Sequence, residues 1–165
     1  MPLYLLVPLL GLCAILQSTV VPQIPVVEAR PDLPLLVVIA WGAISETRDA
    51  LRWGVIGGLW LDILSGLPFG VQTISLASIG FITDLLETSF FRSSILAPIV
   101  TTFIASLIYH SVALMILQLA GYTVEWNPFI SKILLPSAIV NTLAMPFVYG
   151  MMHWLFRQDT VELRV

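Results

Sequence analysis

The sequence predicts an all-α membrane protein, a bundle of about six transmembrane helices of which two are short. Three observations predict it. Of 165 residues, 58% are hydrophobic and 10% charged, and soluble domains carry about a quarter charged, so this chain cannot clothe a water-facing surface. The apolar residues fall in long runs divided by short polar clusters, the pattern of helical spans rather than of alternating strands. Those runs and their connections take up the length from residue 1 to 165, which predicts a single integral membrane domain.

The first span covers about residues 3–21, close to the roughly 20 residues that a bilayer requires. Pro2 falls in its first turn, Pro8 is a kink site, and Pro22 and Pro25 end it. No Lys or Arg precedes this run and no small-residue cleavage pair precedes Pro22, so a retained helix is expected rather than a cleaved signal. Cys13 is the only cysteine. It excludes an internal disulfide and reads as a small buried hydrophobe; the bulky Leu12 before it argues against a lipoprotein site.

The second and third spans, about 32–46 and 50–65, are short. Asp32 is placed as an N-cap and Pro34 falls in the first turn, where a missing N–H costs little. Between the two runs lies Ser45-Glu46-Thr47-Arg48-Asp49-Ala50-Leu51-Arg52, the most charged stretch of the chain. A re-entrant pair would bury that turn at roughly 2.5–3.5 kcal/mol per charge. Two short spans need only local thinning and snorkelling, at fractions of a kcal/mol per Å. Two short spans are therefore expected.

The fourth helix, about 71–91, carries Gln72, Thr73, Ser75, Ser78, Thr83, Asp84 and Glu87. Small and hydroxylated residues let membrane helices approach and hydrogen-bond, which places it inside the bundle. The fifth, about 95–120, has Tyr109, His110 and Ser111 near its middle. A turn with Glu125 and the interfacial aromatics Tyr122 and Trp126 leads to the last helix, about 129–156, which holds Lys132, Pro136, Asn141 and Pro146.

With the N-terminus inside, the cytoplasmic segments would hold Arg48, Arg52, Arg92, Arg157 and Arg164, and the outer ones Arg30 and Lys132. That bias predicts a multi-pass protein of the cytoplasmic membrane with both termini in the cytoplasm. Net charge is −3 and the basic residues are scattered, which gives nucleic-acid binding and a polybasic lipid clamp no support. No internal repeat stands out, which weakens an inverted-repeat transporter.

Asp62 is the most informative ionisable group. It ends an apolar run and is followed at once by Ser65-Gly66-Leu67-Pro68-Phe69-Gly70. An acid inside or beside a span has a partner or a task. Either it is a proton or ion site, or its carboxylate accepts hydrogen bonds from the backbone of the turn; the second reading is favoured. Gly66 and Gly70 are expected to give the turn backbone freedom and Pro68 rigidity. Gly54 and Gly58 have the spacing that admits a neighbouring helix to backbone contact.

Asp84 and Glu87 share a helix face at i, i+3. Interfacial solvation or pairing with Arg92 is favoured over a catalytic carboxylate pair. His110 is titratable near mid-membrane. A hydrogen bond to Asn141 or to a hydroxyl on a neighbour is favoured, and no ligand at i±3 or i±4 suggests a metal. No phosphate loop, nucleophile–base pair or zinc set is present. The expectation is a non-enzymatic protein with no cofactor and no metal.

Arg30-Pro31-Asp32-Leu33 and Gly58-x-x-x-Asp62-x-x-Ser65-Gly66-x-Pro68-x-Gly70 resemble the helix entry and the central signature of the MreD family of bacterial rod-shape proteins. Size, near-absence of soluble loops and a short Arg-bearing tail complete the likeness. The resemblance implies a fold like the six-helix substrate-binding subunits of energy-coupling vitamin transporters. It also implies a scaffold that binds MreC and links MreB to peptidoglycan synthesis by RodA and a class B penicillin-binding protein. Pro31, Asp32, Leu33, Gly58, Asp62, Ser65, Gly66, Pro68 and Gly70 carry over as motif residues only. The alternative is a small-molecule-binding subunit of an energy-coupling transporter, with Asp62, His110 or Asn141 in a ligand pocket.

Overall fold

The computed structural model describes residues 3–19, 30–45, 48–86 and 96–156. They are all helix and connection, with no strand among the described residues. In chain order the helices are α1 (Leu3–Thr19), α2 (Leu33–Ile44), α3 (Ala50–Leu64), α4 (Val71–Leu85), α5 (Ala97–Leu119) and α6 (Trp126–Phe156).

Each boundary has a local cause. Pro34 lies in the first turn of α2, and Ser45 ends that helix in an extended conformation. Gly70 opens α4 at φ 103°, a left-handed conformation that costs a side-chain-bearing residue about 1–2 kcal/mol. Gly121, at φ 90°, closes α5. There Gly121 N–H bonds Gln118 O and Tyr122 N–H bonds Leu117 O, the paired bonds of a Schellman cap. α6 starts earlier than the sequence suggests, at Trp126, and widens into a π segment over Ile130–Leu134 before resuming as an α-helix. Pro136 supplies the reason: it has no N–H to offer and its ring crowds the preceding turn, which the wider winding relieves.

α2 is the hub of the bundle and packs against every other described helix. Leu35, Leu36, Val37, Val38, Ile39 and Ala40 in unbroken succession are buried, so the helix is apolar on all sides because protein surrounds it on all sides. Twelve residues make it about 18 Å long. α3 and α4, of 15 residues each, are about 22 Å. α5 and α6 are long and apolar enough to cross a membrane.

The helices alternate in direction. Gln17, Asp32, Asp62 and the turn at 65–70 gather at one end, as the bonds between Gln17 and Asp32 and between Asp62 and Gly70 require. At the other end Trp41 stacks on Trp53 at 4.4 Å between ring centres, and Phe156 meets Trp41 edge-on at 5.1 Å. The last turn of α6 therefore lies at the end of the bundle where α1 begins. Large apolar side chains cover the exterior: Ile63, Phe81, Leu119, Leu143 and Phe147 are all more than half exposed. A surface of that kind is suited to lipid and not to water.

The described part of α4 ends at Leu85, with Leu86 extended, short of the expected residue 91. Glu87 and Arg92 lie outside the described residues.

Candidate functional site

Two sets of polar side chains penetrate the bundle. The first ties α3 to α4. Asp62, in the last turn of α3, is 4% exposed. Its Oδ2 accepts from Gly70 N–H at 2.9 Å, Thr73 N–H at 3.0 Å and the Thr73 hydroxyl at 2.5 Å, and its Oδ1 accepts from Gln72 N–H at 2.9 Å. The N-cap position of α4 is Gly70, which has no side chain to offer. Asp62 supplies the cap from the neighbouring helix, with its charge against the positive end of the α4 dipole.

The same arrangement recurs at the opposite end. Asp84, in the last turn of α4, accepts from Ala50 N–H and Leu51 N–H, each at 2.9 Å. Asp49 occupies the N-cap position of α3 but makes no side-chain cap bond; its carboxylate pairs with Arg52 at 3.2 Å. Each helix of the hairpin thus ends in an acid that caps the start of the other. An acid near the C-terminus of its own helix is unfavourable for that helix, and at the neighbour's N-terminus it is favourable.

Close approach makes this reach possible. A Cβ on Gly58 would collide with Thr73 Cα, one on Gly54 would lie 2.5 Å from Leu76 O, and one on Gly80 would collide with Ala50 O. Backbone contact on both sides brings each carboxylate within bonding distance of the partner's first turn. Gly58-x-x-x-Asp62 and Gly80-x-x-x-Asp84 are thus two copies of one device. Among the described residues Asp84 is committed to the start of α3; the expected pairing with Arg92 falls outside them. The signal was present as the repeated spacing, four residues from glycine to acid.

The turn between the helices is fixed at its ends. Pro68 O accepts Val71 N–H at 3.3 Å, and Phe69 and Leu67 point outward. Gly66 differs from expectation: its φ is not positive and a Cβ would meet nothing within 4 Å. Only Gly70 needs its backbone freedom here. The Ser65 hydroxyl is buried and finds no hydrogen-bond partner among the described residues.

The second set gathers around Asp32, where α2 begins. Asp32 stands at the N-cap position, but its side chain caps nothing. Its Oδ1 accepts from Gln17 Nε2 at 3.0 Å and its Oδ2 from Asn141 Nδ2 at 2.9 Å. Asn141 Oδ1 in turn accepts Asp32 N–H at 2.7 Å, and its Nδ2 also reaches Ser106 Oγ at 3.1 Å. His110 Nε2 lies 3.4 Å from Asp32 Oδ2, and its Nδ1 lies 2.9 Å from Ser106 O. The expected His110–Asn141 bond is replaced by a shared partner, the Asp32 carboxylate. Pro31 and Leu33, on either side of it, are half-buried.

Tyr109 connects the two sets. Its hydroxyl donates to Gln72 Oε1 at 2.5 Å, and the Gln72 backbone is held by Asp62. Its ring meets that of His110 edge-on at 5.1 Å. Gln17, Ser106 and Tyr109 were not foreseen as site residues, because each lies far in sequence from its partner. No group of three His, Cys, Asp or Glu able to hold a metal occurs among the described residues.

Fold and sites together define an all-helical membrane protein whose interior acids bind backbone and amide groups of neighbouring helices. The chain belongs to the MreD family: the family model described as rod shape-determining protein MreD matches residues 2–157. No curated protein and no solved structure matches it.

Proposed function

We propose that this protein is a non-enzymatic scaffold of the cell-shape complex. Six spans cross the cytoplasmic membrane, both termini are cytoplasmic, and the protein binds MreC and connects MreB to peptidoglycan synthesis by RodA and a class B penicillin-binding protein. Membership of the rod-shape family supports the cellular role. The observation that carries the scaffold reading is the use made of Asp62, whose two oxygens accept four hydrogen bonds from the start of α4. A buried carboxylate so bonded is committed to the protein's own backbone, as a structural group and not a catalytic one would be. The alternating helix directions support a common side for the two ends, and the basic residues support the cytoplasmic one.

Purification from native membranes at low detergent, with identification of every co-purifying protein and small molecule, tests this reading. MreC and wall-synthesis proteins are the expected companions. A vitamin-like ligand with an ATPase partner and no wall-synthesis protein would replace it with a transporter subunit.

A further inference from the structure

Between α4 and α5 the bundle carries an apolar cleft of about 200 Å³. Ile79 and Thr83 of α4 and Ala105 of α5, all buried, form its floor, and Val100 and Ile104 of α5, 53% and 51% exposed, stand at its rim. The two helices are pinned at one end, where the Tyr109 hydroxyl donates to Gln72 Oε1. From beside that bond the cleft runs from Ile79 to Leu86 along α4 and from Ile108 to Val100 along α5, a length of about 11–12 Å. Ala105, a small side chain where α5 faces α4, leaves the space. The wall is aliphatic apart from Thr83 and Thr101, and the Thr83 hydroxyl is spent on Ile79 O at 2.8 Å. A strongly polar occupant would lose its hydration here with little to bond.

We infer that this cleft seats one acyl chain of a membrane phospholipid. The inference needs the membrane surroundings of the protein and not its scaffold role. Size decides against a helix. The volume of about 200 Å³, spread over the length of the cleft, is a thread about 4 Å wide. Hydrocarbon carbons in contact stand about 4 Å apart, so one extended chain fits, whereas a helix with its side chains is about 10–12 Å across. A vitamin-like ring system needs convergent polar groups, which an aliphatic wall does not offer. Continuity decides for lipid. Val100 and Ile104 belong to the same apolar exterior as the exposed Phe81, Leu85 and Phe103 of these two helices, and in a bilayer that exterior faces acyl chains. The driving force is contact rather than release of water, because bulk lipid is as apolar as the cleft. An empty cleft leaves Ile79, Thr83 and Ala105 without neighbours on one side, and a chain restores those contacts. The seated chain thus completes the packing of α4 on α5 beyond the Tyr109–Gln72 bond.

The test is photolabelling of the full chain in vesicles of phosphatidylethanolamine and phosphatidylglycerol that contain a trace of phospholipid with a diazirine in its acyl chain. Mass spectrometry maps the labelled residues. Lipid at the surface reaches outward side chains such as Leu143 and Phe147, and only a chain seated in the cleft reaches its floor. Label on Ile79, Thr83 or Ala105 is therefore expected beside label on the exterior. Ile104→Trp and Val100→Trp each close the rim from an exposed position. Both should cut labelling of the floor severalfold and leave that of Leu143 and Phe147 unchanged. Label confined to the exterior in the wild type would overturn the inference, and so would floor labelling that persists undiminished in the rim variants. If one rim variant does not fold, the other and the wild-type map decide.

Discussion

Replacing Asp62 by leucine removes the acceptor for Gly70 N–H, Gln72 N–H, Thr73 N–H and the Thr73 hydroxyl together. The hydroxyl can rotate to another acceptor; the three backbone groups cannot. An unsatisfied buried donor costs about 1–3 kcal/mol. At the lower end of that range, since the turn at 65–70 is partly exposed, Asp62→Leu costs about 3 kcal/mol in total. Asp62→Asn behaves differently. Its amide oxygen, placed where Oδ2 now sits, keeps Gly70, Thr73 N–H and the Thr73 hydroxyl, while its NH2 opposes Gln72 N–H. One bond is lost, along with the charge at the helix start, for about 1–2 kcal/mol. Thermal unfolding in mild detergent, with the folded fraction read by size exclusion, measures both. The order wild type, Asn, Leu in melting temperature and yield is expected. Leu equal to wild type in both readouts would refute the capping argument.

Further predictions concern the rest of the hairpin. Gly80→Ala should destabilise as much as Gly58→Ala, each by about 1–3 kcal/mol, because either Cβ meets backbone and not a flexible side chain; the same unfolding assay checks it. Gly66→Ala should be neutral within about 0.5 kcal/mol, whereas Gly70→Ala should lose about 1–2 kcal/mol at its positive φ. Asp84→Ala should cost about 1–2 kcal/mol by uncapping α3, and hydrogen exchange at Ala50 and Leu51 should rise while that at Gly70 stays low.

Much of this fold was legible in the chain. Proline and glycine fixed most helix ends, so the fifth helix, expected over about 95–120, runs from Ala97 to Leu119. The reading of Asp62 as an acceptor for the following turn needed only local sequence; of that turn it holds Gly70 N–H, and its other bonds go to Gln72 and Thr73 in the first turn of α4. Longer-range partners were not legible. Asp32 looks like an N-cap because the rule for caps is local, yet its main partner, Asn141, is 109 residues away. Asp84 caps a helix that began 34 residues earlier, and its own neighbourhood offers only the Gly80-x-x-x-Asp84 spacing, which does not name the partner. The central place of α2 was hidden for a different reason. Lipid and protein core are both apolar, so Leu35–Ala40 reads the same whether it faces one or the other. The π segment of α6 was foreseeable only as a disturbance near Pro136.

The central claim is that the polar interior of this protein holds helices for the sake of assembly. Expressing Asp62→Asn and Asp62→Leu in rod-shaped cells lacking the native copy, and scoring membrane level, MreC co-purification and cell shape together, tests it most directly. Asn should largely retain all three, and Leu should lose folded protein, MreC and rod shape in parallel. Normal protein level and normal MreC binding in both variants, with rod shape lost in both, would contradict the claim and assign Asp62 a chemical task.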